Sequence, residues 1–229
     1  MGVTVVIPWQ ATHDEHRSRA LTWLCRRLVG VEWGYGLTIP TIEAHERWSK
    51  PRAIIEGARA AHGDIVVVHD ADVWCDSVPE AVAAVRAGAP WAIPHYRVHR
   101  LDEVSTGVVL AGHEPDEGMP TTKRPYRGVG GGGIVVLPLA TLRAIPPDVR
   151  FVDWGGEDGA WRDALRCLAG PEWRESRAPL FHLWHPPALD EHGEHRAPEA
   201  NGLLAARYNS ARHRPGVMRA LIDEAQVRA

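Results

Sequence analysis

The sequence predicts an α/β fold: a mixed, Rossmann-like sheet with helices on both faces, in one domain over residues 1–229. Three observations predict it. Val3–Ile7 (VTVVI) and Ile65–Val68 (IVVV) are apolar, β-branched runs of the kind buried on both faces in a parallel sheet. Segments with apolar residues at helical spacing separate such runs, and this alternation implies crossover helices. After Pro94 the alternation breaks down, so the sheet is expected to turn partly antiparallel. The chain thus divides into 1–94, 95–185 and a loop with C-terminal helices over 186–229.

Val3–Ile7 is stopped by Pro8. Thr12 and Glu15 form a capping box; Ala20, Leu21, Leu24, Cys25 and Leu28 then recur at helical spacing up to Gly30. A weaker strand lies within Tyr35–Ile42. Pro51 opens an Ala-rich helix to Ala61, ended by Gly63. Ile65–Val68, a helix over Pro79–Ala87 and a short strand at Trp91–Ile93 follow. Tyr96–Val98 and Thr106–Leu110 are expected as strands, and Gly112–Arg127 as a surface loop. Ile134–Leu137 is a strand, Gly159–Leu168 a helix and Leu180–Trp184 the last strand. Pro186–Pro198 lacks periodicity and is expected to order on ligand binding. Helices over Glu199–Arg212 and Val217–Val227 finish the chain.

With 229 residues, 45% hydrophobic and 24% charged, the chain has the length and composition of a soluble globular protein with a substantial core. A net charge of −3 gives no footprint for nucleic acid. No apolar run approaches the roughly 20 residues of a membrane span. The chain enters a strand directly at Val3, so no signal segment is expected, and Val6 stands where a myristoylation signal needs Ser or Thr. Cys25, Cys75 and Cys167 make no CxxC pair, as expected of reduced thiols in a cytoplasm.

The strand Ile65–Val68 ends in His69-Asp70-Ala71-Asp72. Ligands gather at the carboxyl ends of strands in open α/β sheets. Residues two apart on extended chain share a side, so Asp70 and Asp72 are expected to face one ligand. Such hard oxygen donors suit Mg²⁺ or Mn²⁺ holding a phosphate; an acidic strand-end turn is the plainer alternative. Gly128, Gly130 and Gly133 satisfy G-x-G-x-x-G, but a strand follows them where dinucleotide binding needs a helix. Close approach of backbone to a ligand is the better reading. Trp154-Gly155-Gly156-Glu157-Asp158 sets an aromatic plane beside two acids at a helix start, an arrangement suited to a sugar; capping explains only one of the acids. His182 and His185 bracket the last strand's end. If the strand persists they face opposite sides, and His185, at the exit, is the expected metal ligand. His192 and His195 are expected to be solvated.

This ordered set resembles nucleotide-sugar-dependent glycosyltransferases of the GT-A fold, closest to the group of β1,4-galactosyltransferases and polypeptide N-acetylgalactosaminyltransferases. The motifs are VVIPW with Arg17 in the following helix, KPRAIIEGARAAHGDIVVVHDADVW, GVGGGGIVVLP, WGGED and HLWHP, spanning Val3 to His185. The resemblance implies a nucleotide-binding half over 1–94 and a sugar and acceptor half over 95–185. Asp72 and His185 would hold Mn²⁺ or Mg²⁺ on the donor diphosphate, with Asp70 on ribose or supporting the metal. Arg17 would lie on the donor side, Pro8 and Trp9 would border the base, and Glu43 and Arg52 would contact the nucleotide. Gly132 and Gly133 would lie against the sugars, Trp154 would pack on one and Glu157 would hold hydroxyls. Asp158 matches the base of inverting members. The implied reaction moves a hexose or N-acetylhexosamine from a nucleotide diphosphate sugar, UDP-linked by family frequency, to a glycan, protein or small-molecule acceptor. A retaining transferase on the same scaffold is one alternative, and a nucleotidyltransferase or a non-catalytic carbohydrate-binding module are others. The compact chain is expected to be a soluble bacterial or phage version.

Overall fold

The computed structural model describes residues 2–10, 14–30, 34–43, 46–187 and 197–227. The first elements are β1 (Val3–Val6), β2 (Trp9–Gln10), α1 (Glu15–Gly30), β3 (Gly36–Thr38), β4 (Thr41–Ile42) and α2 (Lys50–Ala60). Next come β5 (Ile65–His69), β6 (Val73–Trp74), α3 (Val78–Arg86), β7 (Arg97–Arg100) and α4 (Glu103–Leu110). The chain continues through β8 (Ile134–Pro138), α5 (Leu139–Ala144), α6 (Glu157–Leu168), β9 (Pro179–His182), α7 (Glu199–Ala211) and α8 (Pro215–Gln226).

The central sheet has the order β3-β1-β5-β8, with β8 antiparallel to β5 and the other pairs parallel. Its strands are apolar on both faces because helices cover both. Val6, Val66, Val68, Val135 and Leu137 pack with α2, α5, α6, α7 and α8; Val3, Val5, Ile65, Val67 and Val136 pack with α1 and α3. The mixed α/β architecture with helices on both faces is therefore as expected. A second sheet, β6-β9-β7, pairs β6 antiparallel and β7 parallel to β9.

Two expected strands differ. Thr106–Leu110 lies in α4, a helix, because Asp102 caps it by accepting from the Ser105 N–H at 2.8 Å. Its β-branched residues are tolerated since Ser105, Thr106 and Val109 bury one helical face. Trp91–Ile93 contributes only isolated bridges from Ala92 to Val136 and Trp173. At α1, Asp14 accepts from the His16 N–H at 2.9 Å and caps the helix; Thr12, like most of Pro186–Pro198 with His192 and His195, lies outside the described residues.

Gly57 lets α2 lie directly on β1, since a Cβ there would stand 2.3 Å from Val6 Cγ1. Gly57→Ala is expected to cost about 1–3 kcal/mol by overpacking, although alanine is the better helix former. A chemical denaturation midpoint equal to or above that of the parent would contradict this packing.

Candidate functional site

A cleft of about 700 Å³ opens at the carboxyl ends of β1 and β5. Pro8, Trp9, Arg17, Asp70, Asp72, Gly132, Gly133, Trp154, Glu157, Asp158 and His185 all line it. Glu43 and Arg52 do not. The side chain of Glu43 is exposed, and Arg52 pairs with Glu46 and Glu56 at 3.1 Å each, outside the cleft.

Asp72 and two histidines form one cluster, with ligand atoms within 4.8 Å of one another. His185 Nε2 lies 3.1 Å and His182 Nε2 3.7 Å from Asp72 Oδ2. The expectation that strand alternation separates the histidines fails because β9 ends at His182. Val73 pairs with His182, and the Leu183 N–H donates to the Asp72 carbonyl at 2.8 Å. The chain then bends, helped by Thr106 Oγ1 accepting from the Trp184 N–H at 2.7 Å, and returns His185 to the same spot. Nδ1 of His185 lies 2.8 Å from the Pro186 carbonyl, which turns Nε2 toward Asp72.

An octahedral ion with ligands at about 2.1 Å spaces neighbouring donors about 3 Å apart, so the Asp72–His185 pair fits a divalent cation. With imidazole beside carboxylate the set favours a transition ion over Mg²⁺. His182 Nε2 also lies 3.2 Å from Arg100 Nη1 and would have to leave that guanidinium to join. Burial opposes ionisation of Asp72, but His182, His185 and Arg17 outweigh it and hold the carboxyl well below its usual range. Burial likewise pushes His182 down, against the pull of Asp72, towards the neutral form a metal needs.

Asp70 does not share Asp72's partners, because the chain turns after β5 rather than continuing extended. Asp70 instead accepts from the Gly133 N–H at 3.0 Å and pairs with Lys50 Nζ at 2.7 Å. The same ammonium lies 3.0 Å from Asp158 Oδ1. Lys50 is 7% exposed at the start of α2, where the helix dipole disfavours a cation. Ser49 fixes it there: its Oγ caps α2 and donates to the Phe151 carbonyl at 3.0 Å, while the Asp153 N–H donates to the Trp48 carbonyl at 2.7 Å.

Burial opposes the charge on Lys50, but Asp158, Asp70 and Glu157 raise its pKa above the ordinary value. One ammonium among three carboxylates leaves an excess of negative charge. Burial, with Glu157 and Asp70 acting against Lys50, pushes Asp158 up to about 7.

The glycine run answers to the same acid. A Cβ on Gly131 would meet the Asp158 carbonyl at 2.0 Å, and one on Gly132 would meet Asp158 Oδ2 at 2.3 Å. With Oδ1 held by Lys50, Oδ2 is left open towards the cleft only because residue 132 has no side chain. Glu157 accepts from the Gly155 N–H at 2.9 Å, and Gly155 and Gly156 both take positive φ to start α6. Trp154 carries the Arg17 guanidinium 4.8 Å above its ring.

Lys50, Arg100 and Tyr126 are cleft residues beyond those expected, and His182, the alternative to His185, lines the cleft beside it. The readable signal for Lys50 was a lysine opening a helix against its dipole; the others depend on strand pairing far along the chain.

No protein-family model and no curated protein matches the chain. Among solved structures, glucosyl-3-phosphoglycerate synthase of Mycobacterium tuberculosis is similar at TM-score 0.51 and 15% identity, over 92% of this chain and 79% of that one. A mannosyltransferase of Pyrobaculum calidifontis, solved with GDP-Man and Mn²⁺, matches at TM-score 0.45 and 14% identity, over 99% and 75%. The catalytic domain of Drosophila β1,4-galactosyltransferase 7 matches at TM-score 0.42 and 12% identity, over 70% of this chain; this chain spans 59% of that domain. The first of these establishes the fold, that of GT-A glycosyltransferases.

Lys50→Met would leave Asp70 and Asp158 without their shared cation. A loss on the order of 3 kcal/mol is expected at pH 8. Without the ammonium, the folded-state pKa of Asp158 rises further above its unfolded value, so stability should return as pH falls and diminish as it rises. Denaturation midpoints measured across pH check this; a pH-independent loss would contradict the bridge.

Proposed function

We propose that the chain is a metal-dependent glycosyltransferase, moving a hexose or N-acetylhexosamine from a nucleotide diphosphate sugar, UDP-linked by family frequency, to an acceptor hydroxyl with inversion. One observation carries the reading: a metal-ligand cluster, Asp72 with His182 and His185, shares a cleft with an acid held by one oxygen, Asp158. A binding module needs neither. The Pro8-Trp9-Gln10 stretch after β1 is not the Gly- and Lys-rich phosphate loop of a nucleotidyltransferase, and Trp9-Gln10 pairs with β4 instead.

Asp72 and His185, joined by His182, would hold the ion, which when bound neutralises charge on the departing diphosphate as a Lewis acid. Trp9 and Pro8 border the nucleobase end, and Asp70, anchored by Lys50 and Gly133, faces the ribose. Trp154 and Glu157 hold sugar. Asp158 Oδ2 takes the acceptor's hydroxyl proton as that oxygen bonds to the anomeric carbon. The bond from that carbon to the diphosphate oxygen breaks, its electron pair leaving with the nucleotide. Lys50 holds the other oxygen, so the base keeps its aim. A base raised to about 7 by burial must lose its proton to work.

Asp72→Ala should abolish Mn²⁺-dependent nucleotide binding with the fold intact; unchanged affinity would remove Asp72 from the metal site. Asp158→Asn should keep that binding while transfer falls about 10²–10⁴-fold; near-normal turnover would exclude the base role. The transfer rate should rise with pH to a plateau above about 7. Glu157→Gln, which removes a like charge from beside Asp158, should shift that rise to lower pH; an unmoved or flat profile would contradict the assignment.

A further inference from the structure

We infer that the acceptor carries an anionic group, a carboxylate or a phosphate, gripped by a cationic arm on the rim of the cleft. This rests on the reading of the cleft as a sugar-transfer site. The arm is the segment 121–127, laid antiparallel along β7 by bridges from Val98 to Tyr126 and from Leu101 to Thr121. The Thr122 N–H donates to the Arg100 carbonyl at 2.8 Å. Tyr126 sits between two cations: Arg100 Nε donates to its hydroxyl at 2.9 Å, and Lys123 Nζ lies 4.3 Å from its ring centroid. Arg100 and Tyr126 line the cleft, while Lys123, Arg124 and Arg127 stand exposed just outside it.

The charge pattern is one-sided. From Gly118 to Gly133 the sequence has Lys123, Arg124 and Arg127 and no acid, in a chain whose net charge is −3. Among the described residues, none of these three nor Arg100 pairs with a carboxylate, whereas Arg17 pairs with Asp14 and Lys50 with Asp70 and Asp158. The nearby acid Glu117 faces His99 at 3.7 Å. Like charges gathered without counter-ions repel and focus a positive potential at the rim. Guanidinium groups bind carboxylate and phosphate in charge-assisted, often two-pronged hydrogen bonds.

The geometry points to the acceptor rather than the donor as the anion concerned. In that reading the donor's diphosphate lies at Asp72 and His185 and its base at Trp9, residues that all line the cleft. Lys123, Arg124 and Arg127 lie outside the lining, where only a ligand projecting from the cleft can reach. An acceptor projects in this way, because only its attacking hydroxyl has to meet Asp158.

The test is retention of labelled protein, with Mn²⁺ and nucleotide diphosphate, on an array of neutral, uronate-bearing and phosphate-bearing glycans. Wild type is compared with the variant K123Q/R124Q/R127Q, whose changes are all at exposed positions. Retention should concentrate on anionic glycans and weaken with added salt. In the triple variant it should fall about tenfold, three rim charges each contributing about two- to threefold. Preference for uronate or for phosphate identifies the source of the charge. Equal retention of neutral glycans, no retention of any glycan, or an anionic preference unchanged in the variant would each overturn the inference. Metal-dependent nucleotide release from sugar donors, followed in solution with the same preparations, reports the underlying transferase reading separately.

Discussion

A single buried ammonium sets the geometry of the cleft. Lys50 stands between Asp70, at the end of the central strand, and Asp158, at the start of α6, and so ties two parts of the chain 88 positions apart. Its charge offsets the repulsion between the two carboxylates it joins. The cation in turn sits against the dipole of its own helix, held by the Ser49 cap, by the Ser49 hydroxyl's bond to the Phe151 carbonyl and by the Asp153 N–H donated to the Trp48 carbonyl. Local propensity and the site's electrostatics disagree at this residue, and the electrostatics prevail. Such disagreements are expected at functional or strained positions.

The cluster of Asp72, His182 and His185 depends on a different constraint, the antiparallel ladder of β6 with β9. That ladder sets His182 opposite Val73, beside Asp72, and its end at His182 allows the bend that brings His185 back. The ladder and the Lys50 bridge meet at the turn Asp70-Ala71-Asp72. One acid faces the bridge and the other the histidines, so a short acidic motif serves two neighbouring tasks. The glycine run completes the arrangement, since only residues without side chains fit against Asp158.

Much of the fold was legible. β1, β5 and β8 show as β-branched runs, and most helices show as periodic apolar stripes, because burial on known faces leaves a mark on local sequence. α4 was not legible as a helix: Glu-Val-Ser-Thr-Gly-Val-Val-Leu has the composition of a strand, and the Asp102 cap with a buried helical stripe decides otherwise. In the site, the acids, Trp154 and His185 were legible as residue types at element ends. The role of Lys50 was not, because its partners lie 20 and 108 positions away. Nor was the meeting of His182 with His185, which turns on where a strand stops.

The central claim is that this cleft binds a nucleotide diphosphate through a divalent ion. The most direct test is calorimetric titration of UDP, GDP, dTDP and ADP into the wild-type protein, each with and without Mn²⁺. The account predicts that one diphosphate binds tightly and only when the metal is present, which also identifies the donor's base. Binding of none of them, or binding indifferent to Mn²⁺, would contradict it.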